Sequence, residues 1–153
     1  MNSLDSLYQQ IILEESKARR GADLSAEQAQ DTHLPANLGQ CHQLNPVCGD
    51  EITLRIETSG NAVSGIHWAG EGCSISMASA SILSDMVVGL DRNEVQSLID
   101  GFREVMRSRG KLAADEEVLG DAAALSGVSK FPARVKCAML AWVAAEDALN
   151  QTR

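Results

Sequence analysis

The fold class this 153-residue sequence predicts is α+β, a small antiparallel β-sheet packed against a group of helices. Three observations predict it. Residues 50–58 alternate, with Ile52, Leu54 and Ile56 on one side and Thr53, Arg55 and Glu57 on the other, the period-two pattern of a half-buried strand. Ser59-Gly60-Asn61 then turns the chain into a second alternating run over 62–69, which makes a hairpin. Helical spacing prevails on both sides, and the order of helix, strands, then several helices is not a βαβ alternation. No internal repeat is visible.

In chain order, residues 3–19 read as a helix. Leu4, Leu7, Tyr8, Ile11 and Ile12 recur at helical spacing, Asp5 lies near the start, and Lys17, Arg19 and Arg20 lie near the end. Gly21 is its stop. Residues 21–44 are polar and poor in β-branched side chains, so they read as linker-like, with at most a helical turn over 25–30. After the hairpin, Gly70-Glu71-Gly72 leads into a helix over 74–88 built of Ala, Ser, Ile and Met, small enough to pack closely. Asp91 and Glu94 open a further helix, with Val95, Leu98, Ile99, Phe102 and Met106 along one stripe. Residues 107–117 are charged and expected to be mobile, and 119–128 form a short alanine-rich element. Pro132 suits the first turn of a last helix that runs to about residue 149.

Length and composition bound the function classes. One compact domain over 1–153 is expected, and 44% apolar residues can fill a single core. A formal charge of −8 and an aromatic content of 3% argue against nucleic acid, which calls for clustered cations and stacking rings. The longest apolar stretch, around 137–145, is too short to cross a bilayer, and the first residues lack a signal-peptide pattern. A cytoplasmic setting is therefore expected, where four cysteines serve as ligands, nucleophiles or small buried residues before disulfides.

Three of those cysteines sit at element starts. Cys48 lies in Asn45-Pro-Val-Cys48-Gly49-Asp50, Cys73 precedes the helix at 74, and Cys137 lies near the start of the last helix. With Asp50 they form the donor complement of one tetrahedral metal, zinc or iron. Exposed N–H groups and the helix dipole at the start of the 74–88 helix favour a thiolate at Cys73. The separations, 2, 23 and 64 residues, match no zinc-finger spacing, and single helical cysteines often serve as small hydrophobes. Both readings stay open from the residues alone. Cys41-His42 lies in the linker-like segment and is read as peripheral, His67 as a packed or surface residue of a strand, and His33 as uninformative. Arg134 and Lys136 read either as solvated positions or as counter-charges to a centre whose three thiolates and carboxylate leave it formally at about −2.

Three motifs in order, Asn-Pro-x-Cys-Gly-Asp at 45–50, Gly-Glu-Gly-Cys-Ser-Ile-Ser-Met-Ala-Ser-Ala-Ser at 70–81 and Gly-Val-Ser-Lys-Phe-Pro-Ala-Arg-Val-Lys-Cys-Ala at 127–138, resemble the SufU branch of the IscU-like iron–sulfur assembly proteins. The resemblance runs from Asn45 to the C-terminus, and Leu4-Asp-Ser-Leu-Tyr8 is also similar. Lys136, where IscU-type chains carry histidine, and the extra segment at 101–117 select the SufU branch. Residues 21–44 depart from the pattern, and Cys41-His42 maps onto no family function.

The resemblance implies one zinc per chain, held by Cys48, Asp50, Cys73 and Cys137. It implies a SufS-type, PLP-dependent cysteine desulfurase as partner, and the SUF assembly machinery downstream. A desulfurase histidine would replace one cysteine on the metal, freeing Cys48 to attack the persulfide, with Arg134 stabilising the freed thiolate. The chain would then be the sulfur-transfer partner of an enzyme, not a stand-alone one. A scaffold for a transient iron–sulfur cluster on the same four residues is the alternative, and a structural-zinc interaction module is a third.

Overall fold

The computed structural model describes residues 3–153, without the Ser3 side chain. Met1 and Asn2, which open the segment that lacks a signal-peptide pattern, lie outside the described residues. The order is α1 (Ser3–Ala18), β1 (Leu38–Asn45), β2 (Asp50–Ser59), β3 (Ala62–Glu71), α2 (Ser74–Val87), α3 (Arg92–Arg107), α4 (Glu116–Leu119) and α5 (Pro132–Gln151), with 3₁₀ segments at Gln28–Gln30 and Gly120–Lys130. The three strands form one antiparallel meander in the order β1-β2-β3. The hairpin over β2 and β3 is where the alternation places it, with Ile52, Leu54, Ile56, Val63, Ile66 and Trp68 all buried.

The linker-like reading of 21–44 fails over its last residues, because Leu38–Asn45 is a strand. Its sequence, LGQCHQLN, is too polar to reveal it. Tertiary partners make the strand instead. The carboxamide of Gln151 at the end of α5 accepts from the Gln40 N–H at 3.1 Å and donates to the Gln40 carbonyl at 2.9 Å, which caps the open edge of β1. On β3, Trp68 donates its backbone N–H to the Gly21 carbonyl at 2.8 Å and accepts from Leu24 at 3.2 Å, so the chain after α1 covers that edge. Arg55, expected on the outer face of β2, is only 8% exposed. Its guanidinium donates to the Gln28 carbonyl, to Asp31 at 3.0 Å and to Gln40, and so fastens the 3₁₀ turn over the sheet.

The helices follow the sequence more closely. Asp91 and Glu94 close a capping box on α3, and the expected stripe, with Val105 added, is buried. Serines on α2 join it to its neighbours. Ser79 donates to the Ala138 carbonyl at 2.6 Å and accepts from the Trp142 indole, and Ser81 donates to the buried Glu15 of α1 at 2.7 Å. These bonds satisfy polar groups that burial would otherwise penalise. Phe102 of α3 stacks on Trp142 of α5 with centroids 4.0 Å apart. The 107–117 segment expected to be mobile resolves into turns and the start of α4, capped by Asp115, and the alanine-rich element at 119–128 is mostly a 3₁₀ run with Ala122, Ala123 and Ala124 buried. Among the described residues no helix is long and apolar enough to cross a membrane.

Candidate metal centre

The β1–β2 hairpin supplies two of the four expected residues. Asn45 and Asp50 pair across its end, and Pro46-Val47-Cys48-Gly49 makes the turn. The Gly49 N–H donates to the Asn45 carbonyl at 2.8 Å, and Gly49 takes φ +75°, a conformation that costs other residues about 1–2 kcal/mol. Cys48 is thereby held exposed at the tip, whereas Asp50 opens β2 facing inward, 3% exposed.

The second segment joins β3 to α2. Cys73 is the N-cap of α2, in extended geometry. Its backbone N–H donates to Asp50 Oδ1 at 3.1 Å and its thiol to Oδ2 at 3.4 Å. A Cβ on Gly72 would stand 2.9 Å from the Asp50 carboxyl carbon, so glycine there permits the approach. Ser76, one turn into α2, donates its hydroxyl to Asp50 Oδ2 at 2.5 Å. The carboxylate thus anchors the hairpin to the helix N-terminus, where the dipole also favours negative charge.

The third segment is the start of α5. Pro132 occupies its first turn, where a missing N–H leaves no bond unmade, and Cys137 is buried one turn on. Cys137 Sγ lies 3.5 Å from Cys48 Sγ. Asn45, 5% exposed, serves both sulfurs. Its Nδ2 donates to Cys48 Sγ at 3.3 Å and reaches Cys137 Sγ at 3.9 Å, while its Oδ1 accepts from the Val47 N–H at 3.2 Å.

Ligand atoms of Cys48, Asp50 and Cys137 lie within 4.8 Å of one another, and Cys73 stands outside that set, 3.4 Å from Asp50 Oδ2. Two thiolates on one tetrahedral zinc stand about 3.8 Å apart, and a thiolate and a carboxylate oxygen about 3.5 Å. The observed spacings, 3.5 Å for Cys48–Cys137 and 3.4 Å for Cys73–Asp50, fit that geometry. The electrostatics point the same way. Burial opposes ionisation of Asp50, yet hydrogen bonds from Ser76, the Cys137 thiol and both the N–H and thiol of Cys73 outweigh it and hold the carboxyl below its usual range. Burial, then the neighbouring carboxylate and thiols, push the Cys137 thiol well above its usual range. A cation among these donors would offset the negative charge that full ionisation of the thiols would bring.

Other expected residues fall elsewhere. Arg134 is exposed three residues before Cys137 on α5, with its guanidinium 5.3 Å from the centre of the Phe131 ring, and Lys136 is exposed nearby. Cys41 is buried inside β1, where desolvation first and the Asp147 carboxylate second raise its thiol to about 11, against a lowering bond from Gln43. His42 pairs with Glu51 at 3.1 Å, His67 with Asp23 at 2.7 Å, and His33 is exposed. Asn45 and Ser76 are the site residues that reading by donor type passes over. Asn-Pro signals a turn and Ser76 stands three residues past an N-cap, but neither pattern says that a buried carboxylate or thiol will face it.

A family model for the NifU-like N terminal domain matches residues 8–149. The chain is 40% identical over 144 residues to the zinc-dependent sulfurtransferase SufU of Bacillus subtilis (strain 168), across 94% of this chain and 90% of that protein. It is 41% identical over 108 residues to the iron-sulfur cluster assembly scaffold protein IscU of Streptococcus pyogenes serotype M1, across 71% of this chain and 67% of that one. Among solved structures, a SUF-system iron-sulfur cluster assembly scaffold protein from Fervidobacterium islandicum AW-1 superposes with a TM-score of 0.77 at 28% identity, covering 94% of this chain and 97% of the other.

Proposed function

This chain belongs to the family of the NifU-like N terminal domain, and from that premise we propose that it is a zinc-dependent sulfur acceptor in iron–sulfur cluster biogenesis. The observation that carries the reading is a pair of exposed thiols, Cys48 and Cys73, set beside the buried Asp50 and Cys137. Cys48 stands at a hairpin tip within 3.5 Å of Cys137, next to a carboxylate held in place from three sides. Cys48, Asp50, Cys73 and Cys137 would hold the metal. When bound there, one zinc per chain would keep the thiols deprotonated and, with one hard oxygen among three sulfurs, exchange a ligand more readily than an all-cysteine site.

The chain's own residues account for the rest. Cys48, at the hairpin tip, is the nucleophile by its place in the family motif, Cys73 being the other exposed thiol of the set. Its thiolate attacks the outer sulfur of a persulfide on the donor's cysteine. A new S–S bond forms at Cys48, the donor's S–S bond breaks, and its electron pair leaves with the donor as a thiolate, so nothing is oxidised or reduced overall. Asn45 aims an N–H at the Cys48 sulfur throughout, and Arg134 supplies positive charge at the rim of the site. The donor is a SufS-type, PLP-dependent cysteine desulfurase in the cytoplasm, and the SUF machinery receives the sulfur.

The scaffold reading, a [2Fe–2S] or [4Fe–4S] cluster on the same donors, is favoured by the similarity to proteins named as IscU scaffolds. Metal content and the visible spectrum of protein purified without added metal separate the two. About one zinc per chain and no colour is the expected result. Bound iron with acid-labile sulfide would put the scaffold first. Undiminished desulfurase turnover with Cys48→Ala would sink the sulfur-acceptor reading.

A further inference from the structure

In a chain of net charge −8, two stretches of ten or more residues carry cations and no Asp or Glu. Residues 105–114 carry Arg107, Arg109 and Lys111, and residues 122–145 carry Lys130, Arg134 and Lys136, six of the thirteen cations in the protein. The fold joins them. The loop after α3 passes so close to Lys130 that a Cβ on Gly110 would stand 2.6 Å from its Cγ. Lys130 lies two residues before α5, Arg134 lies one turn further on over the Phe131 ring, and Cys137 follows on the next turn. All six cations are exposed, and among the described residues none has a carboxylate within ion-pair distance.

The loop that presents the first three is held in one shape. The Lys111 N–H donates to the Ser108 carbonyl at 3.1 Å, the Leu112 N–H to the Ser108 hydroxyl at 3.2 Å, and that hydroxyl to the Val105 carbonyl at 2.7 Å. Arg109 takes φ +56°, an unfavourable conformation for a side chain other than glycine or asparagine. Asp100 and Glu104, earlier on α3, share the groove beside Arg107 and Lys111. The positive sign of the surface therefore comes from the loop and the start of α5. Exposed apolar side chains accompany it, Leu112 on the loop, Phe131 before α5 and Val47 beside Cys48.

We propose that this band, from the loop after α3 across Lys130 to the first turn of α5, is a docking surface for an acidic protein face, namely the rim around the persulfide-bearing cysteine of the sulfur donor. Charge complementarity chooses the occupant. A cationic strip on an otherwise anionic protein repels most of its surroundings' cationic surfaces and orients one acidic partner so that its reactive sulfur meets Cys48. Phe131 is the strip's one aromatic ring, which leaves a nucleic acid nothing to stack along. The inference rests on the sulfur-acceptor reading above.

The test is sulfur transfer from a persulfide-forming, PLP-dependent cysteine desulfurase, followed with the full chain over a range of NaCl. For the native chain, KM for the protein pair should rise at least fivefold between low and physiological ionic strength. In the triple variant Arg107→Glu, Arg109→Glu, Lys111→Glu, which replaces none of the metal donors, KM should rise at least tenfold at low salt, lose its salt dependence, and leave kcat within about twofold. Native-like circular dichroism and metal content confirm that the variant is intact, and the single variant Lys130→Glu, expected to raise KM about threefold, covers the case in which the triple one does not fold. Unchanged KM and salt dependence in the charge variants, with transfer still abolished by Cys48→Ala, would overturn the docking surface and leave the function standing. Transfer undiminished by Cys48→Ala would instead remove the reading beneath it. Binding of single-stranded RNA as tightly as the desulfurase at the same salt would assign the strip to nucleic acid and overturn the proposal.

Discussion

The hydroxyl of Ser76 donates to Asp50 Oδ2 at 2.5 Å, with both side chains buried. One residue opens β2 and the other lies in the first turn of α2, so this bond ties the hairpin that displays Cys48 to the helix that Cys73 caps. Hydrogen bonds to a ligating carboxylate fix its orientation, and their loss typically costs about 10–100-fold in metal affinity. Ser76→Ala should therefore fold and bind zinc about 10–100-fold more weakly in competition with a chromophoric chelator. An unchanged affinity would mean that the Cys73 N–H alone sets the carboxylate.

Asn45 offers the same logic on the sulfur side. Asn45→Ala removes the amide that points at Cys48 Sγ and the acceptor of the Val47 N–H. A lost charge-assisted bond of about 1.5–3 kcal/mol predicts a fall of about tenfold or more in the single-turnover rate of sulfur transfer. Asn45→Asp should be slower still, since it sets a like charge against the thiolate. Rapid-quench transfer assays check both, and equal rates in all three proteins would remove Asn45 from the chemistry.

Cys48 itself should matter for transfer and little for folding. It is exposed on a turn whose shape comes from Asn45 and Gly49, so Cys48→Ala should change the stability of the metal-free protein by no more than about 0.5 kcal/mol. Intact-mass measurement after reaction with the desulfurase should find one added sulfur on the native chain and none at that position in the variant.

Between α3 and α5, Arg103 donates to Glu146 at 2.7 and 3.2 Å, and Gln96 adds a third bond. The Arg103 bonds, outweighing the cost of burial, hold the Glu146 carboxyl below its usual range. A depressed folded-state value means that the stabilisation is complete above the unfolded carboxylate range, about 4.3, and is lost as pH falls through the lower folded value. Glu146→Gln should thus cost about 1–2 kcal/mol in urea unfolding at neutral pH and much less near pH 3. A cost independent of pH would refute the assignment.

Phe102 is fully buried and stacked on Trp142. Phe102→Ala should lower stability by about 3–5 kcal/mol and change tryptophan fluorescence, read by equilibrium unfolding of the metal-free protein. A loss under about 1 kcal/mol would mean that the core collapses around the vacancy.

What the sequence by itself determined is whatever depends on local pattern. Alternation placed Ile52, Leu54 and Ile56 inward, Asp91 and Glu94 placed the start of α3, and the thiol and carboxylate chemistry of Cys48, Asp50, Cys73 and Cys137 nominated the donors. The Cys48 turn was legible in outline because proline and glycine constrain backbone wherever they fall. Tertiary structure decided the rest. β1 is a strand because β2 pairs with one edge and Gln151 satisfies the other, contacts that separate residues 40 and 151 in the chain but not in space. Arg55 is buried because a distant turn offers it acceptors. Asn45 and Ser76 enter the site for the same reason. Burial removes water as their partner, so the hydrogen bonds they make are set by whichever buried group the fold brings opposite them, and no local pattern encodes that.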